Sequence, residues 1–250
     1  HQTWQFEGAL LSRDMPICSS LDADPKWQAI WLGKKEVLFA PSDSQTAKKP
    51  IRFLARCSGS QLVLCKQKGQ KEAQIKEIEY LGSITPKEGW LWRLGTVLAL
   101  ECGNTDISTA RQMLDKAEQA DSEASDLPWL RAKVALAQND LSGALAALSG
   151  FDRENTRTFQ LYVELLAITG DGQQALYEGK KLLNKLDDDA PAKLRCLVAM
   201  AALQQESFAI AAEQGVRGVL MGDQRCAVVV SKLNERGLLT PEQKRLGGVQ

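Results

Sequence analysis

Histidine, the side chain most often used for acid–base catalysis, occurs once in this chain, as His1. A Ser-His-Asp or Cys-His arrangement needs an imidazole inside the folded body, so the sequence argues against both. Carboxylate pairs are the next candidates for chemistry. We interpret Asp187-Asp188-Asp189 as the cap of a helix that begins near Ala190, and Asp22 with Asp24 as loop residues. We therefore expect no catalytic residue and no enzymatic activity.

Cysteines offer metal or disulfide chemistry, and the chain has six: Cys18, Cys57, Cys65, Cys102, Cys196 and Cys226. No two of them form a Cys-x-x-Cys pair, and a zinc site needs four well-spaced ligands, so we expect no metal. A disulfide between Cys18 and either Cys57 or Cys65 would form in an oxidising compartment, and buried free thiols are the alternative. Since no glycine-rich phosphate loop is present, we expect no cofactor.

The tryptophans are concentrated in the first 129 residues: Trp4, Trp27, Trp31, Trp90, Trp92 and Trp129. Large aromatic side chains belong first to hydrophobic cores. Trp90 and Trp92 are two residues apart, so they cannot point in the same direction from one helix. One of them is therefore a candidate for a binding surface.

Composition excludes several classes of function. The 250 residues carry a net charge of zero, which argues against a general binder of nucleic acid. No apolar run approaches the roughly 20 residues that a membrane-spanning helix needs. The chain begins with His1 rather than methionine, which is compatible with removal of a signal peptide or membrane anchor.

Residues 1–83 show the two-residue period of β-strands. Apolar residues alternate with polar ones at the start of the chain, again from Trp27 to Trp31, and from Ile51 to Cys57. We also predict strands at Glu36–Phe39, Gln61–Cys65 and Gln74–Leu81, joined by polar loops. These segments predict a small antiparallel β domain.

From Thr85 onward the period becomes helical. Thr85-Pro86-Lys87-Glu88 and Thr240-Pro241-Glu242-Gln243 both have the residue order of a capping box at a helix start. The predicted helices are 86–101, 106–120, 127–138, 141–149, 154–168, 172–186, 190–204, 207–220 and 223–235, with a short final helix after Thr240. The fold class is therefore α+β with two domains, in which an all-α region over 84–250 follows the β domain.

A short pattern recurs along this helical region: a polar turn, followed by a helix whose first turn contains alanine. The alanines are Ala110, Ala144, Ala175 and Ala211, at intervals of 34, 31 and 36 residues. A period near 34 residues is typical of stacked helical hairpins, which bury their apolar faces only against their neighbours. The pattern therefore predicts an α-solenoid.

Residues 86–222 resemble the tetratricopeptide-repeat family on this pattern. Leu94-Gly95 resembles the small-residue contact of a first helix, and Phe159 lies where that family places a bulky residue. The positions equivalent to Gly95 are Ala132, Val163 and Ala199. The chain departs from the family pattern because Val163 is large, Gly179 and Gly215 fall inside predicted helices, and the usual closing prolines are absent. Residues 1–83 resemble no family.

The resemblance implies a concave groove lined by the first helix of each repeat. The side chains that this register places in the groove are Trp92, Thr96, Trp129, Lys133, Gln160, Glu164, Cys196 and Met200. Mixed aromatic and polar groups of this kind suit a peptide or a partner helix. The implied partner is therefore one or more proteins.

The function we expect is that of a non-enzymatic interaction scaffold or adaptor. The cysteines and the absent initiator methionine favour a bacterial cell-envelope assembly, such as a secretion or pilus machine, and a cytoplasmic location is the alternative. A second hypothesis is a binding module for a glycan or cell-wall polymer, in which the Trp-rich β domain makes the contact. A third is a hydrolase whose site has no recognisable motif.

Overall fold

Three short strands and one short helix near the amino terminus are followed by a succession of helices. The computed structural model describes residues 8–44, 49–52, 54, 56–57, 70–102 and 106–248. The chain divides into two units, residues 1–138 and 139–250. The predicted boundary at residue 83 lies inside the first unit.

The first unit begins with a three-stranded antiparallel sheet of β1 (Ala9–Ser12), β2 (Trp27–Leu32) and β3 (Glu36–Pro41). The strand order is β1-β3-β2, so β3 is central. Its side chains Val37 and Phe39 are fully buried. The predicted fold class, a small antiparallel sheet followed by a helical region, is confirmed.

A disulfide holds this sheet region to the segment that follows it. Cys18 on helix α1 (Pro16–Ala23) is bonded to Cys57, 39 residues later. Arg56, next to Cys57, pairs with Asp22 on the same helix at 2.6 Å. The sequence left Cys57 and Cys65 open as partners of Cys18, and the structure selects Cys57.

Some predicted strands and loops were wrong. Asp22 lies in α1 rather than in a loop, and the described residues of 51–57 have irregular backbone. The predicted strand Gln74–Leu81 lies within helix α2 (Gln70–Ile84). The buried residues there, Gln74, Ile78 and Leu81, are three and four positions apart, which is the helical period. The predicted strand Gln61–Cys65 lies outside the described residues.

Three more helices complete the first unit: α3 (Gly89–Glu101), α4 (Ile107–Ala120) and α5 (Leu127–Ala137). α3 packs on α2, α4 and α5. The predicted capping box at Thr85 was wrong. The Thr85 hydroxyl donates to the carbonyl of Leu81, so Thr85 ends α2, and α3 begins four residues later.

The second unit is built of helices within its described residues. They are α6 (Leu141–Ala147), α7 (Thr156–Ile168), α8 (Gly172–Leu186), α9 (Ala192–Gln204), α10 (Phe208–Leu220), α11 (Gln224–Glu235) and α12 (Pro241–Leu246). Together with α3, α4 and α5, these begin and end within three residues of the predicted helices. The capping box at Thr240 is confirmed, with Gln243 as its reciprocal partner.

The acidic run Asp187–Asp189 forms a 3-10 turn between α8 and α9. The predicted capping role of these residues was wrong. α9 instead begins after Pro191, and no side chain caps it.

Three of the four turn-then-alanine units share one physical basis, and the fourth differs because Ser207 makes no side-chain cap at the start of α10. Asp106, Asp140 and Asp171 are N-caps whose carboxylates accept a backbone N–H three residues later, at 3.1, 2.8 and 3.1 Å. In each case the alanine four residues after the cap is buried. The aspartate therefore starts its helix, and the alanine lets that helix approach a neighbour closely.

Consecutive helices from α6 to α11 pack on each other, and α12 packs on α10. Alternate helices also touch: α7 contacts α9, and α9 contacts α11. This arrangement is compatible with an α-solenoid of helical hairpins. Val163, which is larger than the repeat pattern favours, is accommodated by Gly179 on α8, where an added Cβ would lie 3.3 Å from the Val163 Cγ1. None of the helices in the described ranges combines the length and hydrophobicity needed to cross a membrane.

Candidate functional site

An apolar groove runs between α9 and α11 in the second unit. It encloses a cavity of about 300 Å³ and is lined by Met200, Leu203, Gln204, Arg225, Val228, Val229 and Lys232. Met200 is 42% exposed and Val228 is 58% exposed. Two large apolar side chains on facing helix walls, both open to solvent, form a surface suited to an apolar group of another molecule.

The floor of this groove is continuous with the hydrophobic core. Val229 is buried beside Val228, and it packs with Ala199, Ala202 and Val230 in one cluster. Leu203 packs against the same cluster. The groove is therefore rigidly supported from below, which lowers the ordering cost of binding.

Charged residues occupy the end of the groove formed by the start of α9 and α11. Lys193 Nζ lies 2.6 Å from Glu164 Oε2, an ion pair that joins α9 to α7. Arg225 Nε lies 2.9 Å from Asp223 Oδ1, at the N-cap of α11. The hydrogen bond from Arg225 is the main reason that the pKa of Asp223 is lowered, and the Lys193 charge adds to it.

The pKa of Arg225 shifts in the opposite direction to that of Asp223. The Arg225 pKa is raised, first by the hydrogen bond to Asp223 and also by the charge of Glu164. The four residues therefore form a neutral cluster of two cations and two anions across α7, α9 and α11.

A disulfide joins the two walls of the groove. Cys196 on α9 is bonded to Cys226 on α11, and both side chains are buried. Gly218 on α10 leaves space for the bond, because a Cβ there would lie 2.0 Å from the Cys226 Sγ. No cysteine within the described ranges is free.

Two of the sequence-predicted groove residues of the second unit, Met200 and Glu164, lie at this surface. Met200 lines the groove, and Glu164 belongs to the charged cluster. Gln160, one turn before Glu164 on α7, is half-buried. Cys196 is 1% exposed and its sulfur is held in the disulfide, so it offers nothing to a partner in this conformation.

The predicted residues of the first unit are mostly packed inside it. Trp92 and Trp129 are each 6% exposed, and Thr96 is fully buried with its hydroxyl donated to the Trp92 carbonyl. An added Cβ at Gly82 would overlap the Trp92 ring, so that indole packs directly on α2. Lys133 is half-buried, 3.9 Å from Glu101 and 5.7 Å from the Trp129 ring centroid. The structure does not bring these four residues into the α9–α11 groove.

The repeat pattern did not predict the α11 wall, because the repeats recognised in the sequence end at residue 222. The residues missed were Arg225, Val228 and Lys232. A usable signal was present. Cys196 and Cys226 are 30 residues apart, close to the repeat period, and each lies near the start of its helix.

Comparison with known proteins does not assign this surface. The chain matches no protein-family model, and no curated protein is significantly similar to it. Among the described residues, no group of three or more His, Cys, Asp or Glu side chains is arranged to hold a metal ion.

Proposed function

We propose that this chain is a protein–protein interaction scaffold, without enzymatic activity, that binds a segment of a partner protein in the groove between α9 and α11. The observation that carries the proposal is the pair of solvent-exposed apolar side chains, Met200 and Val228, on the two walls of a supported cavity. Methionine is enriched in protein interfaces, because its flexible thioether adapts to different partner shapes.

The form of the cavity favours a partner segment over an isolated small ligand. The groove is open to solvent along two helices and is bordered by the long side chains of Arg225, Lys232 and Gln204. A helix or extended peptide can place one apolar side chain in the cavity while its backbone lies along the two walls. The tetratricopeptide-like repeat pattern also favours a partner segment as the ligand.

The compartment is part of this proposal. Disulfides persist in oxidising environments, and the structure contains the Cys18–Cys57 and Cys196–Cys226 bonds. We place the protein in a bacterial cell envelope, as a component of an assembly such as a secretion or pilus machine.

Site-specific photo-crosslinking tests the binding site directly. A benzophenone amino acid replaces Met200 in one variant and Tyr177 in a control, and both are crosslinked in cells of the native source. Tyr177 is 55% exposed on α8, away from the groove lining, and its ring has a similar shape to the probe. We expect a single protein adduct from position 200 that is absent from position 177.

A different crosslinking result would contradict the proposed binding site. If position 200 gives no adduct, or the same adducts as position 177, the groove is not where this chain binds its partner.

A further inference from the structure

The two ends of the α9–α11 groove differ in their available charge. At the end formed by the start of both helices, Lys193 pairs with Glu164 and Arg225 pairs with Asp223. A ligand carboxylate placed there would have to separate an existing pair and would lie close to Glu164 and Asp223. That end therefore offers little attraction to a charged group of either sign.

At the other end of the groove, Lys232 is exposed and has no charged partner within the part of the chain that the structure describes. It follows Val228 by one helical turn, so its ammonium group lies beside the apolar cavity rather than across the helix. Gln204 also lines the groove, from α9. The groove thus combines an apolar pocket with one available positive charge.

We infer that the partner segment carries a carboxylate next to its apolar anchor, and that Lys232 binds this carboxylate while Met200 and Val228 hold the anchor. This inference rests on the proposed function, because it names the chemistry of the partner for the same groove. Binding of the anchor removes water from around Lys232, which strengthens its attraction to a carboxylate and its repulsion of a cation. The groove therefore selects an acidic amphipathic segment over a basic one.

Two synthetic peptides test this selectivity. Both are amphipathic helices of about 18 residues, long enough to lie along the groove, with the same leucine and alanine face. One has glutamates and the other lysines at the polar positions that flank the central leucine. Their affinities are measured by calorimetry for the oxidised full-length protein and for four variants: Lys232→Glu, Arg225→Gln, Lys180→Glu and Met200→Glu.

We expect the wild-type protein to bind the acidic peptide more tightly than the basic one. Lys232→Glu should weaken acidic-peptide binding by about tenfold and reverse the preference, and high salt should reduce both effects. Arg225→Gln should change the affinity less, because Arg225 is already paired with Asp223. Lys180→Glu is the matched control on α8, also exposed, and should have no effect.

The acidic partner and the groove function would be contradicted by different outcomes. If both peptides bind equally, lose affinity with Met200→Glu and ignore Lys232→Glu, the groove binds apolar segments but the inferred acidic partner is wrong. If neither peptide binds, or Met200→Glu changes neither affinity, the proposed function of the groove is itself contradicted.

Discussion

The sulfur of Cys196 on α9 is bonded to the sulfur of Cys226 on α11, although α10 separates these two helices in the chain. The bond lies beneath the groove whose walls are α9 and α11. Four residues after Cys196 is Met200, and two residues after Cys226 is Val228. The covalent link therefore fixes the spacing between the two side chains that form the apolar site.

Removal of this disulfide should lower both stability and groove binding. The double variant Cys196→Ser/Cys226→Ser loses a crosslink that closes a loop of 30 residues, and we expect its free energy of unfolding to fall by about 3 kcal/mol. Urea denaturation without reductant measures the stability, and calorimetry with the acidic peptide measures the affinity.

Cys18→Ser/Cys57→Ser is the matched control, since it removes a disulfide of the first unit. It should destabilise the chain while leaving the affinity of the folded protein for the peptide unchanged. Equal loss of affinity in both double variants would mean that the Cys196–Cys226 bond has no particular role in shaping the groove.

The buried alanines of the repeat should not tolerate a larger side chain. Ala144 and Ala175 have almost no exposed surface, and each lies in the first turn of its helix. Ala144→Leu and Ala175→Leu should each destabilise the protein by about 1–3 kcal/mol through overpacking. Ala146→Leu, at an exposed position on the same helix as Ala144, should have little effect on the melting temperature. Unchanged melting of the first two variants would show that these alanines are not close helix contacts.

Gly179 reverses the usual preference for alanine within a helix. Alanine normally stabilises a helix interior by about 1 kcal/mol over glycine. Here a Cβ would lie 2.6 Å from the Val198 Cγ2, so overpacking of about 1–3 kcal/mol should prevail and Gly179→Ala should destabilise the protein. In the background of Val198→Ala the same change should cost less, which a double-mutant cycle by urea denaturation measures. Additive effects would argue against this contact.

The cap of α4 should make stability depend on acid pH. Hydrogen bonds from Thr109 are the main reason that the pKa of Asp106 is lowered below 3.8. Since the folded pKa is below the unfolded one, the stabilisation is present above the unfolded pKa and is lost as the pH falls through the folded pKa.

Asp106→Ala should therefore cost about 0.5–2 kcal/mol at neutral pH. The difference from wild type should shrink once the pH falls below about 4, where the unfolded carboxyl becomes protonated. Asp115→Ala on the same helix, where the carboxyl is exposed and does not cap, is the control. A constant difference from neutral to acid pH would contradict the capping account.

Local signals predicted most of the helical region. Helix ends depend on caps and on the apolar period, both of which are written in a few consecutive residues, as at Asp171 and Thr240. Helix α2 was misread because its charged residues obscured a buried series spaced at three and four positions. Short apolar segments are also compatible with either secondary structure.

The groove was only partly predictable, because the burial of each side chain depends on neighbours that are distant in sequence. Cys196 and Met200 lie on the same side of α9, and the sequence placed both in the groove. The structure buries Cys196 against Cys226 and leaves Met200 open. Trp92 was likewise assigned to the groove by its angular position alone. Its ring is buried because Gly82 on α2 leaves room for it.

Binding of the crosslinked partner to groove variants tests the central claim most directly. The equilibrium dissociation constant is measured for the wild-type chain, for Met200→Glu/Val228→Glu, and for the control Tyr177→Glu/Leu220→Glu, whose target residues are equally exposed on α8 and α10. All three must first show the same circular dichroism spectrum and melting temperature. We expect the groove variant to bind at least about 30-fold more weakly, the effect of a binding hot spot, and the control to bind like the wild type. Wild-type affinity in the groove variant would contradict the assignment of α9 and α11 as the binding site.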